Sequence, residues 1–178
     1  MSLIRPLLAT DIESVLRIQA QCYLPDNIES GAVIRTRLAS APDTAWVAEL
    51  DGEVCAYLVG YRSRLGEIGA LGDGFEPATE PDCIYLHDLA VGTAARGLRI
   101  GQQLVTRALE LARSEGLPHA ALVSVQDSAR FWQRLGFAPW SDLDAEQAAR
   151  LATYSGQPAG YRVRQLQPPA ASRPRADR

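Results

Sequence analysis

The apolar positions of the chain change period several times, and each change marks an element. Ile4-Arg5-Pro6 reads as a short strand that its proline stops. Ile12, Val15, Leu16, Ile18 and Cys22 then recur at the spacing of one helix face. Thr10, with Glu13 three residues on, has the spacing of a capping box, so a helix is expected from Thr10 until Pro25 breaks it. A second helix is expected over 29–40, punctuated by Ala41-Pro42. Residues 45–50 and 54–61 are strand-like, and Asp51-Gly52 between them is a strong turn signal, which makes a hairpin. Residues 64–82, rich in Gly, Pro and acids, show no sustained period and read as a long loop of a kind that is usually functional or mobile.

The second half alternates strand and helix. Residues 83–91 are the best central strand, and 100–113 form an amphipathic helix with Ile100, Leu104, Ala108 and Leu111 in its stripe. Gly116-Leu117-Pro118 ends that helix. A buried strand over 120–125, a short helix over 128–135 stopped by Gly136, another over 145–154 and a last strand over 161–166 follow. The order predicts one mixed sheet covered by helices, in a single domain over 1–167 without internal repeats. Beyond Pro168 the composition turns to Pro, Ala, Arg and Asp, and 168–178 is expected to be a disordered tail.

Composition narrows the chemistry. A chain of 178 residues can bury a core without disulfides or metal. A net charge of -3 argues against a partner made of duplex nucleic acid. All 18 basic residues are arginine, which excludes Schiff-base and P-loop lysine chemistry. His87 and His119 are the only histidines, too few for a histidine-rich metal site. Cys22, Cys55 and Cys83 are far apart and odd in number, which suits a reducing compartment. The opening residues lack a basic region followed by an apolar run, and no segment approaches the ~20 apolar residues that span a bilayer. A cytoplasmic protein with no membrane partner is expected.

The sharpest local feature begins at Leu89-Ala90-Val91. A short connection leads from there to Arg96-Gly97-Leu98-Arg99-Ile100-Gly101-Gln102, which opens a helix. A strand delivering the chain into a tight loop and a helix N-terminus leaves main-chain N–H groups free to face an anion, and the helix dipole adds to the attraction. On these residues alone, an ordinary strand–helix turn with solvated arginines stands equally.

The segment resembles the pyrophosphate loop of the GNAT superfamily of acyl-CoA-dependent N-acyltransferases, Gln/Arg-x-x-Gly-x-Gly/Ala. Arg96 matches its first position and Gly101 its last, and Arg99 stands where that family usually has glycine. Arg99 is expected to be helical already; a positive φ there would cost on the order of 1 kcal/mol. Tyr85-Leu86-His87-Asp88-Leu89-Ala90-Val91 resembles the family's splayed central strand. Residues 128–137, from Ser128 through Phe131-Trp132 to Gly136-Phe137, resemble its late helix, and the opening of the chain is similar too. The likeness extends over about 3–165.

This resemblance implies an α+β fold with a mixed, mostly antiparallel central sheet of six to seven strands, splayed at its centre. It implies acetyl-CoA as co-substrate, no metal, and direct attack of a primary amine on the thioester. The acceptor would be a small-molecule amine or a peptide amine, and the enzyme a monomer or a homodimer. His87 and Asp88 are the candidates for taking the amine's proton, and strand alternation lets only one of these neighbours face a given side. His87 leads because its ordinary pKa lies near neutrality; Asp88 would need burial. Main-chain N–H groups of Leu89, Ala90 and Val91 would polarise the carbonyl. Trp132 occupies the place of the family's usual tyrosine; an indole donates a hydrogen bond but does not give up its proton. Gln126, in place of the usual asparagine, would contact the pantetheine arm together with Ser128 and Phe131.

The acceptor pocket would draw on Tyr23, Asp26, Glu29, Trp46, Tyr57, Tyr61, Asp73 and Glu76, with Tyr23, Asp26 and Tyr57 foremost. Core aromatics and solvated acids are the plainer explanation of the same residues. Two other classes stay open. Trp132 and Arg99 suit a non-catalytic acyl-CoA-binding module, and a small interaction domain would fill the amides of the 96–101 loop internally.

Overall fold

Asp51 and Gly52 both take positive φ, 52° and 86°, and so turn β2 (Ala45–Leu50) back into β3 (Glu53–Ser63). The structure is a computed structural model that describes residues 2–154 and 158–166. The tail expected at 168–178 lies outside the described residues. With β1 (Leu3–Pro6), β4 (Cys83–Val91), β5 (His119–Ser124), β6 (Ala138–Pro139) and β7 (Gly160–Gln165), the hairpin makes one seven-stranded sheet in the order β1-β2-β3-β4-β5-β7-β6. Every pairing is antiparallel except β4 with β5. This is the mixed, mostly antiparallel sheet expected, and the two-residue β6 is the strand that no periodicity announced.

The helices are α1 (Ile12–Cys22), α2 (Gly31–Ser40), α3 (Ile100–Ser114), α4 (Ala129–Arg134) and α5 (Ala145–Leu151). The capping box expected between Thr10 and Glu13 does not form, and α1 starts two residues later than Thr10. Asp11 does the work instead: its Oδ2 accepts the Leu8 N–H at 2.8 Å, and Arg5 holds both carboxylate oxygens at 2.7 and 2.9 Å. α2 also starts late. Ser30 caps it by accepting the Val33 N–H at 3.3 Å, which leaves Glu29 outside the helix and free to turn inward.

Each face of the sheet carries its own core. Val15 and Ile18 of α1 pack with Tyr57 and Tyr85 on one face, while Leu104 and Ala108 of α3 pack with Leu58, Leu86 and Phe137 on the other. Two irregularities in β4 position the site. Its pairing with β5 covers only Cys83 to Tyr85, so from Leu86 to Val91 the strands diverge. Against β3, Val59 pairs with Asp88 but Gly60 pairs with Leu86, so His87 is the extra residue of a β-bulge. The bulge breaks the expected alternation. His87 packs on Phe75 and Asp88 bonds Tyr23, so both neighbours face the α1–α2 side.

Candidate active site

The loop ahead of α3 is built from positive-φ residues. Gly97 has φ 81°, and Arg99 sits at φ 60°, ψ 17° as the residue before the first helical turn. Arg99 is therefore left-handed, not helical as expected. The chain leaves Arg96 extended (φ -63°, ψ 140°) and must reverse within three residues to enter α3, which demands left-handed corners. Gly101 serves a different need: a Cβ there would stand 3.2 Å from Val91 Cγ2 and 3.6 Å from Phe131 Cζ.

The amides of this loop are largely open. Arg96 and Leu98 donate to the Thr93 and Ala95 carbonyls at 3.4 and 3.3 Å, and Gln103 makes the first α3 bond, to Arg99 O at 3.1 Å. The N–H groups of Gly97, Arg99, Ile100, Gly101 and Gln102 make no hydrogen bond among the described residues. With the exposed Arg96 and Arg99 beside them, these donors fit a diphosphate.

A cavity of about 200 Å³ runs beside this loop, in the gap where β4 and β5 part. One wall is Leu89, Ala90, Val91, Gln126, Ser128, Phe131 and Trp132; the other includes Tyr23, Asn27, Glu29, His87, Asp88 and Tyr154. Trp132 stands edge-on between Phe131 and Phe137, with centroids at 4.9 and 5.5 Å. Gln126 reaches the wall from a left-handed corner of its own, at φ 52°.

The second wall holds buried charge. Asp88 Oδ1 accepts the Tyr23 hydroxyl at 2.6 Å; Oδ2 accepts Tyr57 at 2.6 Å and Gln19 Nε2 at 3.2 Å. Burial pushes the Asp88 carboxyl above the ordinary range, and the two phenol bonds only partly offset it. Burial likewise lifts the Tyr23 and Tyr57 hydroxyls well above a free phenol. Glu29 is clamped by the buried Arg37 guanidinium, by the Gly72 N–H at 2.8 Å, and faces His87 Nε2 at 3.5 Å. Burial works against its charge, but His87 and Arg37 outweigh it and hold the carboxyl at about 2. The His87 side chain is 2% exposed, and its Nδ1 is sealed without a partner among the described residues.

The remaining acceptor candidates scatter. Asp26 is exposed and lines no part of the cavity, whereas Asn27 and Glu29 of the same segment do. Tyr57 is fully buried beneath Asp88, and Trp46 belongs to the opposite core. Tyr61, Asp73 and Glu76 border a separate hollow. Gln19, Asn27, Arg37 and Tyr154 were not anticipated. Gln19 had a signal, since it lies four residues after Val15 on the buried stripe of α1; Arg37 had none.

The model of the acetyltransferase (GNAT) family matches residues 12–137. Among solved structures, Ard1 from Thermoplasma volcanium is 19% identical, with 93% of this chain and 98% of that one covered and a TM-score of 0.67. The ribosomal-protein-S18-alanine N-acetyltransferase from Escherichia coli is 12% identical over 96% and 97% of the two chains, with a TM-score of 0.67. The GphF GNAT-like decarboxylase in complex with isobutyryl-CoA is 17% identical over 93% and 100%, with a TM-score of 0.70. At these identities the likeness shows the fold. No curated protein sequence matches this chain.

Proposed function

Because this chain belongs to the acetyltransferase (GNAT) family and is an acyltransferase, we propose that it moves the acetyl group of acetyl-CoA to a small primary amine by direct attack. The observation that carries this reading is the set of open amides at Gly97, Arg99, Ile100, Gly101 and Gln102 beside the divergence of β4 and β5. Those amides, with Arg96 and Arg99, would hold the diphosphate. The free edge from Leu86 to Val91 would pair with the pantetheine arm as an added strand and aim N–H donors at the carbonyl. Bound acetyl-CoA supplies an activated acyl carbon and a thiol leaving group.

Asp88 is the proton acceptor in this reading. His87 has one nitrogen sealed and the other turned to Glu29, whereas Asp88 combines a place in the cavity wall with a raised carboxyl. Trp132 lends an N–H but no proton, so the thiol, of pKa near ~8.5, leaves as thiolate. The charges on the acceptor wall favour an amine that carries no carboxylate of its own. Glu29 and Asp88 line the cavity, and Arg37 is spent on Glu29 and the Asp73 carbonyl. A non-catalytic acyl-CoA module would lack a carboxylate at this place.

The test is thiol release from acetyl-CoA against a panel of alkylamines, polyamines and amino acids. Alkylamines are expected to react in preference to amino acids, and Asp88→Asn to lower kcat about 1000-fold. Full turnover in Asp88→Asn would remove the base from this reading.

A further inference from the structure

We propose that the Tyr23 hydroxyl is a relay that carries the acceptor's proton from the ammonium nitrogen to Asp88. This rests on the acyl transfer proposed above, and it adds a group for which neither the loop nor the late helix has a counterpart.

The hydroxyl lies 2.6 Å from Asp88 Oδ1 and 2.9 Å from the Leu89 carbonyl oxygen. Both are acceptors when Asp88 is ionised, yet a phenol has one hydrogen. Two arrangements therefore compete. In one, Tyr23 donates to an ionised Asp88. In the other, Asp88 holds a proton and donates it to the Tyr23 oxygen, which in turn donates to Leu89 O. They differ by one proton: when the Tyr23 oxygen receives a proton from the cavity side as it passes its own along the 2.6 Å contact, the first becomes the second, and no heavy atom has to shift.

Access points the same way. Asp88 has both oxygens engaged, Oδ1 by Tyr23 and Oδ2 by Tyr57 and Gln19. Tyr57 is sealed in the core, so it leads nowhere. Tyr23 is half-buried, lines the cavity and touches the carbonyl of Leu89 on the open edge of β4. Its oxygen is the outer end of the network. Burial keeps the phenol from ionising by itself, as a relay requires, while Asp88 gains proton affinity from the same burial.

The protons balance as follows. The ammonium N–H passes to the Tyr23 oxygen as the Tyr23 O–H passes to Asp88 Oδ1, leaving a neutral amine and a protonated Asp88. The nitrogen lone pair then forms the C–N bond, and the C–S pair leaves with sulfur. The second N–H proton goes to the departing thiolate, and Asp88 returns its own to solvent through Tyr23.

The experiment compares two acceptors with acetyl-CoA, ethylamine, which is protonated at neutral pH, and 2,2,2-trifluoroethylamine, which is already neutral there. In Tyr23→Phe, amide formation from ethylamine is expected to fall about 100-fold, and from trifluoroethylamine less than about 5-fold. Equal losses with both amines would overturn the relay and leave the proposed transfer standing. No amide from either amine with wild-type protein would overturn the transfer itself, and the relay with it. Should Tyr23→Phe fail to fold, the wild type decides. Rates with ethylamine in mixtures of light and heavy water should follow a curved dependence, because two hydrogens move together, and a straight line would overturn the relay.

Discussion

The two walls of the cleft recognise their ligands by opposite means. The donor wall relies on main chain: five open amides, glycines and exposed arginines within the single stretch from Arg96 to Gln102. The acceptor wall relies on side chains drawn from α1, the segment before α2, α2 itself, β3 and β4, whose charges are buried and must balance one another. A backbone cradle tolerates a changed side chain, as Arg99 in place of the family's usual glycine illustrates. A buried charge network tolerates little, because each lost partner leaves an uncompensated group. The acceptor wall should therefore be both the selective half and the fragile half.

The largest break in this comparison is predicted at Glu29. Replacing it by Gln leaves the guanidinium of Arg37, 2% exposed, without its counter-charge. Unfolding in denaturant should show a loss of about 4 kcal/mol. The wild type should show the same dependence on acidification. Glu29 is depressed in the folded state, from 4.5 to about 2, so its contribution is complete above pH 4.5 and disappears as pH falls toward 2. That shift corresponds to about 3 kcal/mol, and Glu29→Gln should flatten this limb of the stability curve. A Gln variant as stable as the wild type, with an unchanged acid limb, would mean the acceptor wall is no more fragile than the loop.

Gly60 tests the bulge that joins the two walls. A Cβ at this position would lie 2.5 Å from the Tyr85 carbonyl oxygen, a contact with main chain that cannot be relieved by a rotamer change. Gly60→Ala should cost about 2 kcal/mol and displace β4 where the bulge turns His87 and Asp88 to one face. Since the open amides of the loop lie elsewhere, calorimetry should find acetyl-CoA affinity nearly retained while turnover falls. Equal losses of binding and turnover would show the two walls to be one mechanical unit.

What was legible in the sequence follows the same division. β4 was read to the residue, and the loop and α3 were placed on their Gly/Arg pattern, because these features are local. The Asp51-Gly52 turn was legible for the same reason. The bulge was not: it exists only relative to β3, and strict alternation wrongly put His87 and Asp88 on opposite faces. The start of α1 was misplaced because the Arg5–Asp11 pair competes with the Thr10 cap. The pairing of Glu29 with Arg37 and the fencing of Asp88 by Gln19, Tyr23 and Tyr57 join residues far apart in sequence, so no spacing could announce them. Asp26, the nearby acid set foremost among the acceptor candidates, is solvated while Glu29 turns inward.

The smallest expected effect lies in the loop, and its sign sharpens the contrast. Arg99 is a β-carbon-bearing residue at φ 60°, where glycine has no steric cost. Arg99→Gly removes roughly 1 kcal/mol of that cost but returns conformational freedom to the unfolded chain, so the net gain should be about 0.5 kcal/mol. Removing the exposed guanidinium should at the same time weaken acetyl-CoA binding by a few-fold, the scale of a solvated ion pair. A thermal melt and a calorimetric titration on one variant would then move in opposite directions. If stability fell instead, Arg99 would be holding the loop through contacts of its side chain, and the donor wall would not be a backbone device.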